Sequence, residues 1–189
     1  MTMQPAVFLD RDGVLNEAIV REGKPYPPRD LSELVLTFGA CAALEELKRE
    51  GFLLIVVTNQ PDIARGKAKR ADVDEINAQL STTLPLDAIE VCEHDDQQNC
   101  NCRKPKPGMI LHARETFGVD LARSFVVGDR WRDIEAGRRA GCRTILIGDG
   151  YGETFTYAPT IKLLSLPAAA SWITQQCRHE RRGSHENDW

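Results

Sequence analysis

Ala6-Val7-Phe8-Leu9-Asp10-Arg11-Asp12-Gly13 is the stretch on which the reading of this chain turns. Four apolar residues run unbroken into an acid. A parallel strand covered on both faces has this pattern, because its alternating side chains all meet apolar neighbours. Gly13 permits a turn tight enough to bring Asp12 back over the strand end. The same order recurs downstream. Phe52-Leu53-Leu54-Ile55-Val56-Val57 runs into Thr58-Asn59-Gln60, with Pro61 marking the turn. Ser124-Phe125-Val126-Val127 runs into Gly128-Asp129.

Helical spacing fills the intervals between these strands. Ala40 to Glu50 has apolar residues at 40, 43, 44 and 47, and Gly51 follows as a C-cap. Lys69 to Leu80, Ile110 to Phe117, Asp133 to Ala140 and Pro167 to Gln176 read as further helices. Ala88 to Val91, Arg143 to Ile147 and Ile161 to Leu163 read as short strands. Glu17 to Leu31 is polar and rich in Pro and Gly, which predicts a loop. Cys92 to Met109 is irregular. From Arg178 the chain is charged and nearly free of apolar residues, so 178–189 is expected to be a disordered tail after one domain over 1–177. The alternation predicts an α/β fold: a Rossmann-like open parallel sheet with helices on both faces. Such sheets bind ligands beyond the C-terminal ends of their strands. Asp10 with Asp12, Thr58 with Asn59, and Asp129 with Asp133 would converge there.

Composition narrows the function. The 189 residues suffice for one compact core, and no apolar run approaches the roughly 20 residues of a membrane span. The N-terminus has no basic region followed by an apolar one, so a cytoplasmic protein is expected. A net charge of −4 disfavours a nucleic-acid partner. No apolar helical stripe compels a dimer, and a monomer is expected.

Converging carboxylates need a reason not to repel each other, and a hard divalent cation supplies one. Mg2+ prefers oxygen ligands and also touches substrate phosphate. In that arrangement Asp10 attacks phosphorus and forms an aspartyl-phosphate. Asp12 protonates the leaving oxygen and then activates water. Asp129 holds Mg2+ with Asp10 and the backbone carbonyl of Asp12, and Asp133 supports the site from behind.

The pattern resembles the haloacid dehalogenase superfamily of phosphotransferases over residues 6 to 150. The resemblance rests on Asp10-Arg11-Asp12-Gly13, Thr58, Lys104 and Asp129 with Asp133. It implies that Thr58 and Lys104 bind phosphate oxygens. Phe8 to Asn16, Thr58-Asn59-Gln60, Ile63-Ala64-Arg65-Gly66 and Cys102-Arg103-Lys104-Pro105-Lys106-Pro107-Gly108-Met109 more closely resemble the D-glycero-D-manno-heptose 1,7-bisphosphate phosphatases. The related histidinol-phosphate phosphatases share much of this pattern. The resemblance implies that Asn59, Arg65, Arg103 and Lys104 contact substrate, and that Arg130 stands where Lys is frequent. Two stretches depart from the family. Pro61-Asp62 replaces Ser-Gly, and Gly23-Lys24-Pro25-Tyr26 replaces Gly-Tyr-Val-His.

Cys92-x-His94 and Cys100-x-Cys102 bring three thiols and an imidazole into one polar stretch that cannot build a core of its own. That set suits structural zinc, and the same phosphatases carry a matching zinc loop. Arg65, Arg103, Lys104, Lys106 and Arg130 give an acidic chain a basic pocket. More cations than one phosphoryl group needs would suit a sugar bisphosphate, with Arg103 or Arg65 on the distal phosphate. No large cap insertion is present. The competing expectations are a histidinol-phosphate phosphatase and a non-catalytic, zinc-stabilised interaction protein.

Overall fold

The computed structural model describes residues 3–185. Its centre is a six-stranded parallel sheet. The strands, in chain order, are β1 (Ala6–Leu9), β4 (Leu53–Asn59), β5 (Ala88–Cys92), β6 (Phe125–Gly128), β7 (Arg143–Ile147) and β8 (Ile161–Leu163). A separate two-stranded ribbon is formed by β2 (Ile19–Arg21) and β3 (Lys24–Tyr26). The helices are α1 (Ala40–Arg49), α2 (Arg70–Thr83), α3 (Gly108–Phe117), α4 (Trp131–Ala140) and α5 (Leu166–His185).

The sheet order is β5-β4-β1-β6-β7-β8. From β1 the chain winds outward through β4 and β5, then crosses back to β6 and winds the other way. The order therefore reverses between β1 and β6, which is where an open α/β sheet opens a crevice. β1 is buried at all four positions, as a strand with helices on both faces must be.

Two apolar layers cover the sheet. On one face, Leu44 and Leu47 of α1, Ile76 and Leu80 of α2, and Ala169, Ala170 and Ile173 of α5 pack on Val7, Leu9, Leu54 and Val127. Phe52, Phe125 and Trp172 meet edge to face in this layer, with ring centroids 5.8 and 6.1 Å apart. On the other face, Met109, Ile110 and Ala113 of α3 and Ala136 of α4 pack on Phe8, Ile55 and Val126.

Three expectations change. The Glu17 to Leu31 stretch is not all loop, because β2 and β3 form a hairpin in which Val20 pairs with Pro25. An isolated two-stranded ribbon has open edges, so the missing N–H of Pro25 breaks no ladder. The second strand carries on past Val57 through Thr58 and Asn59. The last helix extends from Leu166 to His185, where 178–185 were expected to be disordered. Residues 168–182 contain neither Gly nor Pro, so nothing in that stretch interrupts helical hydrogen bonding. The end of the expected tail, 186–189, lies outside the described residues. No inserted cap domain occurs among the described residues, and none of their helices is long and apolar enough to cross a membrane.

Candidate active site

β1 and β6 lie side by side, Leu9 in register with Val127, so their C-terminal ends deliver Asp10 and Asp129 to the crevice. The Asp10 backbone N–H donates to the Val127 carbonyl at 2.9 Å, which extends the pairing to the first acid. Asp133 comes from the first turn of α4, where its Oδ2 accepts the Arg130 backbone N–H at 3.1 Å and caps the helix. One carboxylate oxygen from each of Asp10, Asp129 and Asp133 lies within 4.8 Å of the others.

Two glycines make this proximity possible. Gly13 has φ +90°, and a Cβ there would lie 1.9 Å from Asp129 Oδ2. A Cβ on Gly128 would lie 2.1 Å from the Asp133 Cβ. The chain approaches the carboxylates more closely than any side chain allows.

Lys104 is the only cation inside the carboxylate cluster among the described residues. Its Nζ is 2.9 Å from Asp10 Oδ1 and 2.6 Å from Asp133 Oδ1, and it is almost wholly buried. Burial works against its charge, but Asp10 and Asp133 hold its pKa above the ordinary value. The carboxylates lean the other way. Burial, then the charges of Asp133 and Asp12, push Asp10 up to about 7 against the pull of Lys104. Burial, then Asp10 and Asp133, hold Asp129 well above the usual carboxylate range. One lysine does not balance three acids. Asp129 Oδ2 accepts the Tyr151 hydroxyl at 2.8 Å, while its Oδ1 is buried with no partner. A buried carboxylate oxygen without a donor, inside a cluster of excess negative charge, suits a hard cation.

Asp12 stands outside that cluster and is held by three side chains. Arg11 grips it with Nε on Oδ1 and Nη2 on Oδ2, both at 3.1 Å. Asn16 donates to Oδ1 at 3.0 Å and Gln60 to Oδ2 at 2.8 Å. Arg11 is fully buried, and its third anchor is Asn77 on α2. Gln60 also donates to Thr58 Oγ1 at 2.9 Å, so Thr58 and Asp12 share one amide.

Most of the remaining residues singled out in the sequence lie around the cavity beyond these acids, but Lys106 does not line it: its Nζ donates to the Asn99 carbonyl, to Asn99 Oδ1 and to the Cys100 carbonyl. That cavity holds about 930 Å3 and is lined by Asp10, Asp12, Asn59, Arg65, Arg103, Lys104 and Arg130, with Asp129 and Asp133 at its base. The hairpin contributes Arg21, Lys24 and Tyr26 to the lining. Thr58 is buried behind Gln60. The Asn59 amide is engaged by protein: it donates to the Lys104 carbonyl and accepts the Lys104 N–H, both at 3.0 Å. Asn59 thereby pins the backbone of the site lysine. Arg130 pairs with Glu153, and Arg65 with Asp62 and Asp96. Arg11, Gln60, Tyr151, Asp96 and Arg132 escaped the sequence reading. The position of Arg11 between two acids is the one signal that pointed to it.

Cys92 ends β5, and His94, Cys100 and Cys102 follow in the connection to α3. The Cys102 Sγ lies 3.2 Å from that of Cys92, 3.3 Å from that of Cys100 and 3.3 Å from His94 Nδ1. Cys92 Sγ is 3.6 Å from Cys100 Sγ and 3.7 Å from His94 Nδ1. Four donors at such spacing fit a tetrahedral metal, since Zn–S bonds of about 2.3 Å place sulfurs about 3.8 Å apart.

Comparison with known proteins agrees with this geometry. The HAD-hydrolase-like family model matches residues 101–161. The D-glycero-beta-D-manno-heptose-1,7-bisphosphate 7-phosphatase of Escherichia coli K12 is 38% identical over 159 residues, 77% of this chain and 80% of its own. The Vibrio cholerae enzyme of the same name is 39% identical over 160 residues, 78% of this chain and 83% of its own. The crystal structure of D,D-heptose 1,7-bisphosphate phosphatase from B. bronchiseptica, complexed with magnesium and phosphate, superposes with a TM-score of 0.78 and 30% identity. That match covers 91% of this chain and 99% of the other. With this sheet order, this carboxylate centre and these relatives, the chain belongs to the D-glycero-D-manno-heptose 1,7-bisphosphate phosphatase family of the haloacid dehalogenase superfamily.

Proposed function

We propose that the protein is a Mg2+-dependent phosphatase that converts D-glycero-D-manno-heptose 1,7-bisphosphate to heptose 1-phosphate and phosphate. The observation that carries this reading is the partnerless Asp129 oxygen beside Asp10 and Lys104 at the crevice between β1 and β6. Asp10, Asp129 and the Asp12 carbonyl would hold Mg2+, which when bound neutralises phosphoryl oxygens and the clustered acids. Asp133 supports the site through Lys104 and the start of α4.

Asp10 supplies the nucleophilic oxygen. An Asp10 oxygen bonds to phosphorus as the bond to the sugar oxygen breaks, and Asp12 gives that oxygen its proton. Asp12 then takes a proton from water, whose oxygen attacks phosphorus, and phosphate leaves Asp10. Lys104 neutralises Asp10 and the incoming phosphoryl group, while Asn59 fixes the lysine backbone. Thr58 supplies a hydroxyl at the strand end next to β1. Arg65, Arg103 and Arg130 give the sugar side of the cavity its positive charge.

Cys92, His94, Cys100 and Cys102 hold a structural zinc in this reading. Four protein donors leave no place for a water, and the loop they fix runs directly into Arg103 and Lys104. Residues 1–177 then work as one phosphatase domain. A cytoplasmic setting fits, because cysteines stay reduced there and remain free to bind metal.

A side-by-side kinetic comparison tests the substrate. With Mg2+, kcat/KM for heptose 1,7-bisphosphate should exceed that for fructose 1,6-bisphosphate and histidinol phosphate by at least about tenfold, a difference of about 1.4 kcal/mol. Equal values for all three would remove the heptose assignment. Asp10→Asn should lower kcat by about 10^3-fold or more with an unchanged circular-dichroism spectrum. Wild-type turnover by that variant would remove Asp10 as the nucleophile. Elemental analysis should find about one zinc per chain, retained after weakly bound ions are dialysed away.

A further inference from the structure

The two carboxylate oxygens of Asp129 have unlike surroundings. Oδ2 accepts the Tyr151 hydroxyl at 2.8 Å, and a Cβ on Gly13 would lie 1.9 Å from it. Oδ1 is buried and has no partner among the described residues. The donor to Oδ2 comes from the loop after β7, and its hydroxyl lies 3.2 Å from where a Gly13 Cβ would stand. The same loop sends Glu153 to Arg130, whose Nε donates to Oε1 at 3.0 Å. Asp129 and Arg130 follow β6 directly, so one loop holds both side chains at that strand end.

The backbone of that loop sets Tyr151 apart. Gly148, Gly150 and Gly152 have φ of +72°, +76° and +68°, and Tyr151 has +54°. Glycine enters this left-handed region freely, whereas a residue with a Cβ enters it at an energetic cost. Among these four left-handed positions Tyr151 alone carries a side chain. Its N–H donates to Asp149 Oδ1 at 3.0 Å, which ties down the turn. The strain is kept where a fourth glycine would remove it, and the hydroxyl that it places is bonded to Asp129. Tyr151 is only partly buried, yet it does not line the cavity that Asp10 and Asp129 line. Its contact with the site runs through the carboxylate.

We propose that Tyr151 is a positioning residue for the divalent cation: its hydroxyl occupies Oδ2 of Asp129 and so commits Oδ1 to the metal. This rests on the Mg2+-dependent phosphatase reading and adds a residue to it from the loop after β7. A carboxylate free to rotate can offer a cation either oxygen, and binding must then stop that rotation. A hydrogen bond to one oxygen removes the rotation beforehand. The donor is also neutral. A lysine or arginine in its place would hold Asp129 equally well but would compete with the cation for the carboxylate charge, as a phenol hydroxyl does not. Outer partners of metal-binding carboxylates typically change metal affinity by about ten- to a hundredfold when removed.

Mn2+ favours the same oxygen ligands as Mg2+ and is visible by electron paramagnetic resonance, so it reads the site without substrate. The full chain is titrated with Mn2+ after Mg2+ is dialysed away, with zinc held constant. Tyr151→Phe keeps the ring and the backbone and removes only the hydroxyl. It should bind Mn2+ about tenfold more weakly than wild type. In steady-state turnover, the Mg2+ concentration for half-maximal rate should rise about tenfold, while kcat and substrate KM at saturating Mg2+ stay within about threefold of wild type. Asp129→Asn serves as the control for the cation site itself. If Asp129→Asn weakens Mn2+ binding and Tyr151→Phe does not, the positioning role is overturned. A Tyr151→Phe protein with unchanged Mn2+ affinity and a kcat lowered at every Mg2+ concentration would likewise overturn it, and make the hydroxyl a structural tie. If Asp129→Asn leaves Mn2+ affinity unchanged, the cation reading of the carboxylate cluster fails first, and the role of Tyr151 with it.

Discussion

Gly13 shows how much of the site depends on a missing atom. Its φ of +90° is a conformation that L residues avoid, and a Cβ would fall 1.9 Å from Asp129 Oδ2. Gly13→Ala should therefore displace the Asp129 carboxylate, the proposed metal ligand, as well as strain the turn. We expect a loss of about 1–3 kcal/mol in stability and a Mg2+ requirement raised at least about tenfold. Chemical denaturation and Mg2+ titration of activity measure the two effects. A variant with unchanged Mg2+ dependence would show that Asp129 relocates freely. The sequence carried Asp10, Asp129, Asp133 and Lys104 because each follows a strand end or a marked loop, and sheet topology brings such ends together. Their partners were not legible. Gln60 serves Thr58 and Asp12 at once, and Asn59 grips the Lys104 backbone. Those pairings depend on where side chains point across the crevice, and no sequence period encodes that. Asp96 and Arg132 were missed for the same reason, since one lies in the cysteine loop and the other in the first turn of α4, 36 positions on, and they meet only in the fold.

At the scale of elements, apolar runs and helical spacing located every strand of the main sheet and all five helices of the described residues, with small shifts at the ends of all but the last helix. The hairpin of β2 and β3 was the omission. It is short, polar and interrupted by Pro25, and its ladder joins only its own two strands, so it lacks the alternating apolar face that reveals a strand. Its turn is Glu22-Gly23, with φ of +50° and +71°. Positive φ at both central residues matches a type I′ hairpin, for which Asn-Gly is the favoured pair. Glu22→Asn should thus relieve backbone strain and raise the melting temperature by about 1–3 °C. A scanning-calorimetry comparison would contradict this geometry if the melting temperature fell. The long final helix was cut short in the sequence reading because its last turns carry almost no apolar residues, although helix formation requires only that the hydrogen bonds continue.

The whole molecule concentrates opposite charges within one cavity. The chain carries a net charge of −4, yet Arg65, Arg103, Arg130 and Arg132 line its cavity together with the carboxylates of Asp10, Asp129 and Asp133. The carboxylates bear on stability. Asp10, Asp129 and Asp133 lie within 4.8 Å of each other with one lysine among them, and burial raises the cost of every unbalanced charge. A divalent cation that binds only the folded protein relieves this directly. Its effect follows RT ln(1 + [L]/Kd), which is about 2.7 kcal/mol at a hundredfold excess over Kd. For a chain of this length each kcal/mol shifts the melting temperature by about 2–4 °C, so saturating Mg2+ should raise it by about 5–10 °C over protein stripped with EDTA. Asp129→Asn keeps the shape but removes one charge and weakens the ligand. It should make the stripped protein more stable than stripped wild type and flatten the response to Mg2+. Differential scanning calorimetry of both proteins, with zinc held constant, separates the two effects. If Asp129→Asn kept the full Mg2+ shift, the cation would be held elsewhere, and the crevice between β1 and β6 would have to owe its acids to something other than metal.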